Sequence, residues 1–110
     1  MPTLLQELAA RTAAQHEAER QRLLAALRRE LGTLLPPGEK VWVYGSLAIP
    51  GRFHDSSDID LALARRPEAF SEFWLQGELE LRLGRRVDVA VLGETRLRSK
   101  IEREGLAWTL

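Results

Sequence analysis

Residues 41–63, VWVYGSLAIPGRFHDSSDIDLAL, decide how this chain is read. The apolar run at 41–44 has strand propensity and stops at Gly45 and Ser46, where a small pair lets the backbone turn sharply and gathers a hydroxyl with free N–H groups. Such a turn is a candidate phosphate cradle. After a loop containing Pro50 and Gly51, the segment at 57–63 puts apolar side chains at 59, 61 and 63 and polar or small ones at 58, 60 and 62. That alternation predicts a half-buried strand.

On a strand, residues i and i+2 point to the same face about 7 Å apart, so Asp58 and Asp60 project side by side. Neighbouring carboxylates raise each other's pKa and repel unless a cation lies between them. A divalent metal site is the economical reading, and hard, oxygen-preferring magnesium suits an Asp pair beside a phosphate cradle. A third acid extends the pattern. In RVDVAVL at 86–92, the valines at 87, 89 and 91 share one face and Asp88, Ala90 and Leu92 the other. Asp60 and Asp88 are each followed two residues on by Ala, which leaves room beside the acid. If the two strands are neighbours, three carboxylates converge, and three acids can hold the two ions used for in-line phosphoryl or nucleotidyl transfer. The plainer alternative is that all three acids face solvent on an open sheet face, which has to accommodate their mutual repulsion.

Gly45 and Ser46, eleven residues, Asp58-x-Asp60 and then a strand-borne Asp88 together resemble the signature of the nucleotidyltransferase superfamily related to DNA polymerase beta. The small size resembles its minimal nucleotidyltransferase (MNT) branch, often antitoxins paired with HEPN-domain ribonuclease toxins. The resemblance covers roughly residues 40–110. It implies an α+β fold, a small mixed β-sheet covered by helices, here with a long N-terminal helix added. It further implies a magnesium-dependent transfer of AMP from ATP, or of a nucleotide from another NTP, to a hydroxyl of a HEPN-domain partner. Asp58, Asp60 and Asp88 would be catalytic and metal-binding, and Gly45 and Ser46 would contact phosphate. Many relatives read Gly-Ser-x-Ala-Arg-Gly, whereas here Ile49, Pro50 and Gly51 follow Ala48; Arg52 is the candidate replacement for the missing arginine. Two other functions stay open: a module that neutralises a partner by contact alone, and transfer to a small molecule, which demands a deep pocket.

A length of 110 residues bounds this to a single domain with a modest core. We divide it into an N-terminal helical extension, 1–35, and a catalytic core, 40–110. Sixteen basic and sixteen acidic residues balance to zero net charge, which argues against general nucleic-acid binding. Absence of cysteine excludes disulfides, thiolate nucleophiles and Cys-ligated zinc. No apolar run is long enough to span a bilayer, and a cytoplasmic protein is expected.

Thr3 and Gln6 have the spacing of a capping box, predicting a helix from there to Leu31, ahead of Gly32. Its apolar residues sit at 4, 5, 8, 9 and again at 23, 24, 27 and 31, with an almost wholly polar block at 15–22. So long a helix outruns a small core, so part of it is expected to carry a homo-oligomer or partner interface. Phe70, Phe73, Trp74 and Leu81 recur at helical spacing and predict a crossover helix whose aromatics pack on the sheet and which ends at Gly84. Arg85 and Arg86 then read as a solvated pair at the strand end. A last helix is expected over 95–104 with Leu97 and Ile101 inward and Gly105 as its cap, followed by a short strand or tail at 106–110.

Overall fold

The computed structural model describes residues 1–110, an α+β molecule measuring 56 × 29 × 21 Å. Helix α1 (Leu4–Leu34) leads to β1 (Lys40–Tyr44), a single 3-10 turn (Gly45–Ala48) and β2 (Ile59–Leu63). Helix α2 (Glu72–Leu83) connects to β3 (Val87–Val91), and α3 (Arg98–Glu104) to β4 (Leu106–Thr109). The strands form one mixed sheet in the order β3-β2-β1-β4. Strand β1 runs antiparallel to β2 and β4, whereas β2 and β3 are parallel and α2 is the crossover between them.

Alternation along the strands sorts the sheet into two faces. Val41, Val43, Ile59, Leu61, Val87 and Val89 meet Leu23, Leu27 and Leu31 of α1 and Leu75 and Leu79 of α2 in the main core. Each fully buried leucine or isoleucine there is worth about 1.5–3 kcal/mol of transfer free energy. The opposite face carries a smaller cluster in which Trp42, Ala62 and Leu92 are covered by Ile101 of α3. The space beside Ala62 is therefore filled by this packing and is not open next to the acids.

The capping box at Thr3 is present, with Thr3 Oγ1 accepting from the Gln6 N–H at 3.1 Å and Gln6 Oε1 from the Thr3 N–H at 2.8 Å. Helix α1 runs through Gly32 to Leu34, past the expected stop, because Leu35 and Pro36 break it where Gly32 does not. Residues 1–15 are exposed throughout, so more than a third of α1 projects from the body. Arg20, inside the polar block, is instead buried at 5% exposure.

Helix α2 begins at Glu72, where Ser71 Oγ accepts the Trp74 N–H at 3.1 Å, and ends at Gly84 in the left-handed region at φ 65°. Of the expected inward stripe only Phe70, just ahead of the helix, packs against the main core. Phe73 is 74% and Leu81 82% exposed, Trp74 lies largely in solvent against Phe70, and Leu75 and Leu79 face inward. An acid, Glu72, occupies the buried side because Arg66 holds both its oxygens at 2.8 and 2.9 Å.

Helix α3 is shorter than the expected span, with Leu97 outward and only Ile101 fully inward. Gly105 is its C-cap, as expected, in extended backbone at φ −77° with its N–H donating to the Ile101 carbonyl at 2.8 Å. Its lack of a side chain matters for space: a Cβ would lie 2.6 Å from the Ile101 carbonyl oxygen and 3.1 Å from that of Val43. Trp108 of β4 packs at the margin of the main core with the Arg28 guanidinium 5.5 Å above its ring.

Candidate active site

The site grows from strand register. Tyr44 of β1 pairs with Asp60 of β2, and Asp60 pairs with Asp88 of β3, so three polar side chains form one row across the sheet. Asp58, just before β2, is brought to the same face by the two-residue repeat. The same register aligns Ala62 with Ala90 one step further on. The patterns around Asp60 and Asp88 thus match because they are neighbouring strands in phase.

Asp60 is half-buried, and Asp58 and Asp88 are exposed. Burial, followed by the charges of Asp88 and Asp58, pushes the Asp60 carboxyl above its ordinary pKa. Burial together with Asp60 and Asp88 pushes the Tyr44 hydroxyl up to about 12, so it stays a hydrogen-bond donor. Most glutamates of the chain are held by arginine, as in Glu17 with Arg20, Glu39 with Arg65 and Glu94 with Arg66. None of the ion pairs includes Asp58, Asp60 or Asp88. This donor set of hard oxygens with uncompensated negative charge fits a divalent cation. The carboxylates are aligned without being drawn into a closed metal-binding cluster of three.

Gly45 closes the strand at φ 71°, and a Cβ on it would collide with Oδ2 of Asp60. Only glycine satisfies both the left-handed turn and the approach to the carboxylate. Gly45, Ser46, Arg52 and Asp60 line one cleft of about 480 Å³ with Tyr44, Ile49, Leu97, Lys100, Ile101 and Glu104. Four of the six residues selected from sequence therefore meet in one cavity, while Asp58 and Asp88 lie outside its lining. Arg52 and Lys100 are the cations of that lining.

A family model for the nucleotidyltransferase domain matches residues 24–107. The chain belongs to the nucleotidyltransferase domain family. This nucleotidyltransferase domain also superposes on a toxin–antitoxin crystallised with AMP-PNP at a TM-score of 0.62 and 22% identity, covering 78% of this chain and 73% of that one. A second solved structure, a mutant of the MntA–HpeT toxin–antitoxin with two aspartates two positions apart changed to glutamate, gives a TM-score of 0.56 at 19% identity. There the coverage is 83% of this chain and 73% of that one. At these identities the two structures show a shared fold. No curated protein matches the chain. No helix of the nucleotidyltransferase domain is long and apolar enough to cross a membrane.

Lys100, Leu97 and Glu104 were not among the sequence candidates. Their only local signal is that Lys100 and Glu104 stand four apart on α3 beside the inward Ile101. Tyr44 carried a stronger signal, since it immediately precedes the glycine that ends β1.

The electrostatics give a pH dependence with a definite sign. A carboxyl whose folded pKa lies above its unfolded value makes the folded state bind more protons, so stability falls as pH rises through that interval. Metal-free protein should therefore lose stability on this account as pH climbs from the ordinary carboxylate range through the raised Asp60 value. Glu17 acts oppositely: hydrogen-bonded by Arg20 and held at about 2, it contributes above the ordinary range and is lost as pH falls. Melting curves in chelator between about pH 2 and pH 8 separate the two. The wild-type minus Asp60→Asn difference should become more negative with rising pH, and a flat difference would remove the electrostatic account of Asp60.

Proposed function

We propose that the protein is a magnesium-dependent nucleotidyltransferase that moves a nucleotide, AMP from ATP, onto a hydroxyl of a partner protein, and is the antitoxin of a HEPN-type toxin. The observation that carries this reading is the register of Asp60 against Asp88 beside Gly45, with no basic side chain paired to either acid. The cleft of about 480 Å³ falls in the range of small-molecule and cofactor sites. The toxin–antitoxin structure with AMP-PNP and the MntA–HpeT mutant, altered at aspartates spaced as Asp58 and Asp60 are, support the nucleotide and the partner class.

Asp58, Asp60 and Asp88 would hold magnesium, which supplies positive charge against the negative charge building on the leaving pyrophosphate. The protein's own residues do the rest. The 3-10 turn at Gly45 and Ser46 receives the β- and γ-phosphates, with Arg52 and Lys100 facing them across the cleft. The acceptor oxygen bonds to the α-phosphorus as the bond to the pyrophosphate oxygen breaks, and the hydroxyl proton passes to Asp88. Tyr44, kept protonated, donates a hydrogen bond toward the carboxylate row.

A second reading, neutralisation by contact, is favoured by the apolar side chains exposed on α2 and on the projecting part of α1, including Leu4, Leu5 and Leu8. On these surfaces we place the toxin or a second copy of the chain. The test is transfer of label from α-labelled ATP with magnesium in an extract of the source cells, comparing wild type with Asp60→Asn. A labelled protein band that only the wild type produces supports AMP transfer and gives the partner's mass. Absence of label, together with absence of magnesium–ATP binding, overturns the enzyme in favour of contact alone.

A further inference from the structure

Asp60 and Asp88 are fixed by the hydrogen-bond ladder between β2 and β3, whereas Asp58 stands just outside β2, exposed, at the end of the loop over 50–58. Besides the buried Phe53 and the local hydrogen bonds of His54 and Ser57, one cation gathers its backbone. Nη1 of Arg85 donates to the carbonyl oxygens of Ser57 at 2.8 Å, Asp55 at 3.1 Å and His54 at 3.4 Å. The same guanidinium lies 4.8 Å from the ring centre of Phe53, which is itself in the main core. Arg85 joins no ion pair. Three carbonyl dipoles aimed at one point repel each other, so this loop shape depends on the positive charge they enclose. Only a planar cation can stack on Phe53 while its edge reaches the carbonyls, which makes arginine and not lysine the fitting residue.

The anchor's own position matters as much as its contacts. Arg85 lies two residues ahead of β3, the strand that carries Asp88, and the carbonyl of its neighbour Arg86 accepts the Ile59 N–H at 2.9 Å. One side chain thus ties the residues that deliver Asp58 to the strand that delivers Asp88. We infer that Arg85 is a positioning residue for the metal site, setting Asp58 against Asp60 and Asp88 through the backbone of residues 54–57. This rests on the metal-binding reading of the three aspartates.

The probe is manganese(II), titrated into the full chain without nucleotide and followed by the loss of the free-ion EPR signal. Arg85→Ala should weaken manganese binding by about 10–100-fold, the usual cost of removing a group that orients a metal ligand. The direction is diagnostic, because deleting a positive charge near a cation site would by Coulomb's law alone tighten binding. In an Asp58→Asn background the same change should cost nothing further, since Arg85 acts through Asp58. Should the alanine variant not fold, Arg85→Gln, which keeps the stem and an N–H donor, takes its place in both backgrounds. Binding unchanged or tightened, or losses that add in the double variant, would overturn the inference. A wild type that binds no manganese would instead bring down the metal reading itself, and this inference with it.

Discussion

Asp60→Asn should cut the proposed nucleotide transfer by about 100–1,000-fold and at the same time raise the melting temperature of the metal-free protein. The two effects have opposite signs because Asp60 works against the fold that carries it. Its carboxylate is half-buried, aligned with Asp88 and paired with no arginine, and its pKa is raised by burial and by its neighbours. An amide of the same shape removes the charge repulsion. Relief of this kind is worth about 0.5–2 kcal/mol, and each kcal/mol moves the melting point of a domain this size by about 4–8 °C. Magnesium should stabilise the wild type by binding the native state alone, and should leave the variant nearly unmoved. Paired melting curves in chelator and in magnesium, with an activity assay, decide it. A variant that is both inactive and less stable in chelator would mark Asp60 as a structural residue.

The second large effect belongs to a residue far from the aspartates in sequence. Arg20→Ala should lower stability by about 2 kcal/mol or more, read by urea denaturation. Arg20 is buried between α1 and the 3-10 turn, with Nη1 donating to the Leu47 carbonyl at 2.9 Å and Nε and Nη2 donating to Glu17 at 2.8 and 3.0 Å. Removing it strands a buried carbonyl, while Glu17 is exposed enough to recover water, which keeps the loss below that of a fully buried pair. Arg20→Lys keeps the charge without the fork and should fall between. Because Leu47 belongs to the turn that begins at Gly45, KM for the nucleotide should rise in both variants. A loss below about 0.5 kcal/mol, the scale of an ordinary surface change, would argue against the clamp.

The contrast between these two residues shows what was legible in the sequence. Asp58, Asp60 and Asp88 can be selected because strand periodicity is a local property and fixes which side chains share a face, and Gly45 because a small residue ends the apolar run. That β2 and β3 are neighbours in phase was suggested by their matching Asp-x-Ala patterns and is seen in the register. Arg20 was hidden because nothing local separates it from the arginines around it; its burial depends on where the turn after β1 lands. Helix α2 misled for a related reason. Its sequence carries two stripes that a periodic reading can choose, and the heavier, aromatic one is the one that periodicity favours. The actual inward stripe includes Glu72, acceptable there only because Arg66, six residues away, neutralises it. Lys100 reaches the cleft through the docking of α3 across Trp42 and Ala62, which is again a tertiary fact.

Helix α1 is one continuous hydrogen-bonded rod, but it belongs to two cooperative units. From Arg20 onward its inward face packs on the sheet and opens only when the sheet does, whereas residues 1–15 are exposed and can fray on their own account. The two parts therefore answer to different selection. Substitutions on the inward face after Arg20 alter core contacts, while those at the exposed positions 1–15 alter few. The outer segment is free to drift with whatever surface it meets, leaving the nucleotidyltransferase domain behind it unchanged.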